Sequence, residues 1–507
     1  MRLSTAPWRR GIGTLVLAFL VSTLWAQDSV EVRLLGAEGV ELATALWADD
    51  QGVLLAGETT SDIVMAEGQA VWAPGGPLGK KGFIAALNPE LELDWGFAFA
   101  SDPNVNVGVP SALQVKDVAR AQNGDVVVLY NAMVEGQWGG FLRVVGETVG
   151  SPISLEIPGS VVQSSMAPAG PGSFLIAGSS VPTSAPSPEA TGIFVGLWSG
   201  EEDAPELEVL PNTQGAVAVD ATWHADTLYV AADLEGGPSA ILMVTLVDGT
   251  PQVVGTAPVA WSTLSFSSID ASSQGVAWGG TLISDDGSLD AVYGKLGGPS
   301  QDDPNIWEMA WEAVTISDAD RTARAVIWRN DLLRCTSQAV NSGAGGTGIL
   351  VQERSGETGA WFAAHTFGGV EDEDVRALAV DGQGRFLMAG FSNSWTDSPD
   401  AALFRVPAGP LNGNFEYSVS SLVLPEAAFV GHEAPNGDCW DHAPSALRSG
   451  TSWEEASLIR WSFHDLQGRQ LQRGNTSVVA VPFSSGWAVM ALEMDCGTLR
   501  KRVLIRP

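Results

Sequence analysis

Leu378-Ala379-Val380, then Asp381-Gly382-Gln383-Gly384, then Phe386-Leu387-Met388-Ala389-Gly390, is the stretch that decides the fold. It reads as an apolar strand, a tight turn and a second apolar strand ending in Ala-Gly. Asp-Gly and Asn-Gly pairs adopt positive φ at little cost, which suits a short hairpin. The same unit starts at Ala45-Leu46-Trp47 with Asp50-Gln51-Gly52, and at Val118-Ala119-Arg120 with Asn123-Gly124. Its second strand recurs seven times. Clear copies end at Gly57, Gly178 and Gly390, and weaker ones at Tyr130, Ala232, Gly279 and Thr336. Those ends lie 73, 48, 54, 47, 57 and 54 residues apart.

After each copy, a polar loop leads to a third apolar run, as in Phe83 to Leu87, Ile193 to Leu197 and Leu403 to Val406. A fourth strand carries aromatics, as in Trp95 to Phe99, Trp307 to Trp311, and Trp361-Phe362 with Phe367. Four strands per unit at a period near 50 indicate a β-propeller. The expected fold is all-β: a seven-bladed β-propeller followed by a small C-terminal β-sandwich. Aromatics of the fourth strands are expected to fill the space between blades. Alternating Val30 to Leu35 is expected to supply the outer strand of the last blade, because an open ring leaves an unpaired edge.

The expected divisions are a signal peptide over 1–26, the propeller over 27–410, a Pro/Gly-rich linker over 411–420 and a C-terminal β-sandwich over 421–507. Arg2, Arg9 and Arg10 precede a 14-residue apolar run from Gly11 to Leu24, with Ala26 at a cleavage point. That run is short for a membrane span, and no later one is longer. The chain is therefore expected to leave the cytoplasm and not to be an integral membrane protein.

Net charge is −33, from 26 basic and 59 acidic side chains, although only 17% of the 507 residues are charged. Loss of the three leading arginines leaves 23 basic residues and a charge of −36. Phosphate backbones and anionic lipids are repelled by such a surface, so nucleic-acid binding is not expected. Export permits disulfides. Cys439 and Cys496 share the C-terminal segment and are the expected bridge, with three free thiols as the alternative. Cys335 lies in an apolar run and is expected to be buried.

Two stretches carry resemblances. Phe367-Gly368-Gly369, Asp372, Asp374, Ala377, Val380, Gly384, Ala389-Gly390 and Ser392 resemble a bacterial secreted β-propeller repeat. Near the C-terminus stand Phe463-His464-Asp465-Leu466-Gln467-Gly468-Arg469, then Ser485-Gly486-Trp487-Ala488-Val489, then Arg500-Lys501-Arg502-Val503-Leu504-Ile505. This order resembles the sorting domain of type IX secretion cargo from Bacteroidota-like bacteria, with Trp487 where that family usually has Tyr. The resemblance implies that Asp465, Gly468, Arg469, Gly486 and Lys501 belong to a sorting signal. A type IX translocon would be its partner, and the destination the medium or the outer cell surface.

No His-Glu-x-x-His, Gly-x-Ser-x-Gly, phosphate loop or EF-hand spacing occurs. His432 and His442 flank Cys439 and Asp441, but one Cys/His pair reads better as a tied surface loop than as a metal site. Neither cofactor nor metal is expected. Counting back 16 residues from Gly57, Thr336 and Gly390 reaches Glu41, Asp320 and Asp374, near the start of three innermost strands. Three carboxylates on one rim of the channel would attract a cation or basic ligand. Alternatively, each caps a turn in its own blade. The leading reading is a non-enzymatic propeller that binds an extracellular protein or glycan. The rival is a carbohydrate-active hydrolase or lyase with paired carboxylates in the channel.

Overall fold

The computed structural model describes residues 29–35, 40–60, 66–67, 69–70, 80–99, 112–121, 123–134, 137–145, 150, 152–157, 160–170, 173–181, 192–200, 204–234, 238–284, 286–315, 320–340, 346–369, 371–395, 399–407, 411 and 416–421. It further describes the backbone of 446–448, 452–454, 458–464, 470–474, 478–480, 486–494 and 497–506. Every regular element among them is a β-strand. Accordingly, no helix among the described residues is long and apolar enough to cross a membrane.

Seven antiparallel sheets form the blades of a β-propeller. From the centre outward, blade 1 is Glu41–Asp49, Gly52–Thr59, Lys81–Leu87 and Leu93–Phe99. Blade 2 is Leu113–Arg120, Val126–Val134, Gln137–Val145 and the short Ile153–Ser154. Blade 3 is Ser160–Gly170, Ser173–Val181, Gly192–Trp198 and Glu206–Val209. Blade 4 is Val217–His224, Thr227–Asp233, Ala240–Val247 and Thr250–Pro258. Blade 5 is Leu264–Ser272, Gly275–Ile283, Leu289–Pro299 and Trp307–Thr315. Blade 6 is Arg321–Arg329, Leu332–Val340, Thr347–Ser355 and Trp361–Phe367. Blade 7 is Glu373–Val380, Phe386–Ser392, Asp400–Val406 and, as its outer strand, Ser29–Leu35. Each innermost strand packs against the innermost strands on either side, so the ring is closed.

The closure strand is the one the alternation predicted. Val30, Val32 and Leu34 are buried while Glu31 and Arg33 between them are half-exposed. Leu34 pairs antiparallel with Ala402 and Glu31 with Arg405. The sequence did not reveal a fifth strand: Glu416–Ser421 pairs parallel to Ser29–Leu35 and covers its free side. Half of the stretch read as a linker over 411–420 thus belongs to the last blade.

Hairpin tips follow the expected turn chemistry. In blade 1, Asp49 pairs with Gly52 across a two-residue loop, and Asp49 Oδ1 accepts the Gln51 N–H at 2.8 Å. Gly52 has φ +137, and a Cβ there would lie 2.1 Å from the Leu87 carbonyl oxygen. In blade 7 the tip is longer: Val380 pairs with Phe386, and Asp381 Oδ1 accepts from Gln383 N and Arg385 N.

The fourth-strand aromatics divide. Phe99 and Phe367 are buried, whereas Trp361 and Phe362 are 62% and 53% exposed, so they do not fill the space between blades. Phe99 does lie between blades, 5.1 Å from the Tyr130 ring of blade 2, and Trp311 Nε1 donates to the Gly356 carbonyl oxygen of blade 6 at 3.2 Å. Second- and third-strand aromatics add to the filling: Tyr293 donates its hydroxyl to the Thr336 carbonyl oxygen of blade 6, and Phe386 packs under Arg334 of blade 6. Fourth strands form the outer edge, where side chains meet solvent on at least one face. Cys335 is free and fully buried, and burial pushes its thiol up to about 12, so it behaves as a small apolar side chain.

Beyond Ser421, Leu458–His464, Gln470–Gly474, Gly486–Met494, Gly497–Arg506 and Ala446–Arg448 form one five-stranded sheet. Ser452–Glu454 and Val478–Ala480 form a separate antiparallel pair.

Candidate functional site

All seven innermost strands contain a β-bulge, six of them at one register. The ladder to the second strand skips one residue between Ala43 and Ala45, Val115 and Asp117, Ala218 and Asp220, Phe266 and Ser268, Ala323 and Ala325, and Val375 and Ala377. In blade 3 the break comes earlier, between Val161 and Gln163. A bulge bends its strand and re-aims the unpaired side chain. The skipped residues are Thr44, Lys116, Val219, Ser267, Arg324 and Arg376, and all six line the central channel.

The Ala-Gly ending follows from this geometry. Beside the bulge the two strands approach so closely that a Cβ on Gly57 would lie 2.0 Å from the Leu42 carbonyl oxygen. On Gly390 it would lie 1.9 Å from that of Asp374. At Gly57 and Gly390 the Ala-Gly ending is therefore the mark of the bulge that points a side chain into the channel, whereas Gly178 pairs with Ser164, past the break of blade 3.

The channel encloses about 790 Å³, within the range of small-molecule sites. Its wall is polar. Asp117, Asp220 and Asp270 come from blades 2, 4 and 5, and each joins its own innermost strand to the next blade. Asp117 Oδ2 accepts the Met166 N–H at 2.9 Å. Asp220 Oδ2 accepts the Ile269 N–H at 2.9 Å, and its Oδ1 accepts the Ser165 hydroxyl at 3.1 Å. Asp270 Oδ2 accepts the Trp328 N–H at 2.7 Å. These carboxylates tie the inner ring together, with Ser165 of blade 3 between the first two.

Burial raises all three. Asp117 and Asp270 are each pushed up to about 7, by desolvation first, against the main-chain donors that favour the charged form. Desolvation likewise raises Asp220, Glu373, Asp374 and Glu312. An unfolded carboxyl gives up its proton near pH 3.9. Between about pH 4 and pH 7 the native state therefore holds more protons than the unfolded one, so stability falls as pH rises through that window. The expected result is a higher urea midpoint near pH 5 than near pH 8, with Asp117→Asn flattening the difference. A midpoint that rises with pH would contradict these burial-raised acids.

The three carboxylates expected on one rim occupy three different register positions. Glu41 pairs with Thr59 across its own blade and accepts that hydroxyl at 2.9 Å, the local bond of the alternative reading. Asp320 precedes its strand and accepts the Leu289 N–H of blade 5 at 3.1 Å, clamping the neighbouring third strand. Asp372 does the same for Thr347 N of blade 6 at 2.7 Å. Asp374 is buried between Arg324 Nε at 2.7 Å and Arg376 Nη2 at 2.8 Å. The residues that align with Glu41 are Arg321 and Glu373, each three before the skipped residue of its strand.

Fixed counting missed this because the blade 7 hairpin is longer than that of blade 1, and because Ser337, not Thr336, stands opposite Ala323. A one-residue offset moves a strand side chain to the opposite face. The channel residues left a weaker trace: polar or charged side chains inside otherwise apolar strands, as in Val115-Lys116-Asp117 and Val219-Asp220. Among the described residues, no group of three or more His, Cys, Asp or Glu side chains is placed to hold a metal ion.

Of the residues tied to the sorting resemblance, Gly486 opens the strand Gly486–Met494, and Lys501 pairs with Met490 on Gly497–Arg506. Asp465, Gly468 and Arg469 lie outside the described residues, as do Cys439 and Cys496 of the expected bridge.

No protein-family model matches the chain. No curated protein matches it either. Solved structures similar to it include a protein of unknown function from Dyadobacter fermentans, 12% identical at a TM-score of 0.37. That alignment covers 57% of this chain and 93% of the other. Sqt1 of Saccharomyces cerevisiae is 11% identical at a TM-score of 0.37, over 75% of this chain and 99% of its own.

Proposed function

We propose that this is an exported, non-enzymatic propeller that binds an extracellular protein or glycan at its channel, with the C-terminal segment directing type IX secretion. The observation that carries the binding reading is the polar channel. Its walls supply cationic, hydroxyl and carboxylate groups in a space the size of a small-molecule site. Its three acids are committed to main-chain donors of the next blade, which supports a structural rather than a proton-transfer role for them. The test is an array of glycans and extracellular proteins probed with the purified mature chain. Saturable binding of one class is the expected result, and binding to none would remove the reading.

One observation favours the hydrolase or lyase as a second reading. Asp117 and Asp220 both reach Ser165, so two carboxyls converge on one hydroxyl, and burial raises both acids. Glycan cleavage that disappears in Asp220→Asn would establish it.

Export is supported by the leading 26 residues and by the order of the C-terminal motifs. Because Glu416–Ser421 belongs to the last blade, the informative truncation falls just after Ser421. In the native host the truncated chain should fold and remain in the periplasm while the full chain is exported. Equal export of both would show that the C-terminal segment is not a sorting signal.

A further inference from the structure

Blades 6, 7, 1 and 2 are contiguous in the closed ring, and their bulges aim Arg324, Arg376, Thr44 and Lys116 into the channel from that one side. Three of these four side chains are cationic in a chain with only 26 basic residues and a net charge of −33. A bulge is a costly break in a ladder, and here it recurs at one register and delivers charge to one place.

Nearby acids leave the arc positive. Asp374 is shared by Arg324 and Arg376. Glu58, which also lines the channel, pairs with Lys80 at 2.8 Å and attracts Lys116. Asp117 of blade 2 also lines the channel and is bonded to the Met166 N–H of blade 3, so Arg324, Arg376, Lys116 and the nearby Lys80 stand against three carboxylates, Asp374, Glu58 and Asp117. Burial pushes both Lys116 and Arg324 down, so an anion that enters relieves an existing penalty. The Arg376 side chain is 46% exposed and lines the channel, with Nη2 in its ion pair with Asp374 and the rest of its planar fork toward solvent. Such a fork matches a carboxylate with two parallel hydrogen bonds.

The opposite side of the channel has a different character. Blades 3, 4 and 5 contribute Ser165, Ser267, Ser268, Asp220 and Asp270. Each carboxylate oxygen has a second lone pair after its main-chain bond, and each hydroxyl can both donate and accept. Hydroxyl groups of a ligand find partners there, whereas an apolar ligand does not.

We propose that the channel takes an acidic saccharide, with the carboxylate of a uronic-acid residue on Arg324, Arg376 and Lys116 and its hydroxyls on the serine and aspartate side. The inference rests on the binding reading above and names the ligand class for that site.

The experiment is calorimetry on the mature chain with trigalacturonate, a neutral galactose trisaccharide and hexaglutamate as probes. Trigalacturonate is expected to bind more tightly than the other two and to weaken as salt is raised. Arg376→Ala and Lys116→Gln should each weaken it roughly ten-fold, the loss of one charge-assisted hydrogen bond. The exposed Arg376 can be removed with the inner ring intact, and an unchanged melting curve checks that. Equal binding of the neutral sugar overturns the proposal, as does unchanged affinity in both variants. Tighter binding of hexaglutamate overturns it in favour of an acidic protein ligand. If the array finds a neutral glycan or a protein while trigalacturonate gives no heat, the binding reading survives and only the ligand class falls.

Discussion

Removing Ser29–Leu35 is expected to abolish folding of the whole ring, not merely of its last blade. Val30, Val32, Leu34 and Leu35 are each at most 3% exposed, and burying four such side chains is worth roughly 6–12 kcal/mol. That is comparable to the entire stability of an ordinary domain, about 5–15 kcal/mol. Deletion also strips the ladder from Asp400–Val406 and leaves Glu416–Ser421 without a partner strand. The Arg33 tie to the first blade goes with it, and Arg405, which keeps its own tie to that blade, loses its partner Glu31. Arg405 pairs with Glu31 and donates to the Pro89 carbonyl oxygen at 2.7 Å, and Arg33 donates to that of Glu90 at 3.3 Å. A chain beginning after residue 36 should therefore appear in the insoluble fraction, as an open edge invites. The milder Leu34→Ala should remain soluble and lose about 2–5 kcal/mol, read as a lower urea midpoint. A soluble, cooperatively melting deletion would show that the ring does not need this closure.

The second large effect is expected inside blade 6. Arg334 is fully buried on its second strand and donates Nε to Glu353 Oε1, at 2.8 Å, directly across the ladder. Its guanidinium lies 4.8 Å over the Phe386 ring of blade 7. The other carboxylate oxygen, Oε2, accepts the Leu411 N–H at 3.3 Å, so the pair also anchors the chain between Asp400–Val406 and Glu416–Ser421. Arg334→Leu leaves Glu353 as a buried charge without its counter-ion, at a cost of roughly 3–5 kcal/mol. Arg334→Leu combined with Glu353→Leu should recover most of that loss, because the desolvation of two ions disappears with them. Urea titration of the two single variants and the double one measures the coupling. A single variant within 1 kcal/mol of the parent, on the order of an ordinary surface change, would show that the pair is solvated.

Much of the architecture was readable from residues 29 to 406 because blades repeat one local rule. Apolar strands, Asp-Gly turns and the Ala-Gly ending each report backbone requirements satisfied within about a dozen neighbouring residues. Gly57 and Gly390 are small because the strand beside them is bulged, and the sequence records that need in place. The alternation of Val30 to Leu35 likewise identified the closure strand without reference to its distant partner. For a repeat fold, blade count and ring closure follow from such patterns.

The candidate site was not readable in the same way, since it is assembled across blades and decided by register. Glu41, Asp320 and Asp374 share a spacing from the second strand yet occupy three positions, because the blade 7 hairpin is longer and because in blade 6 Ser337, not Thr336, stands in the register of Gly57. Asp117, Asp220 and Asp270 gain their roles only from the N–H groups of Met166, Ile269 and Trp328 on the next blade. Arg334 reads as a flaw in an apolar strand until the tertiary fold sets Glu353 opposite it. Sequence by itself determined the all-β, seven-fold architecture, since each blade's pattern is local. Only the tertiary structure decided which charges meet in the channel, because that depends on a one-residue register and on neighbours some 50 residues away.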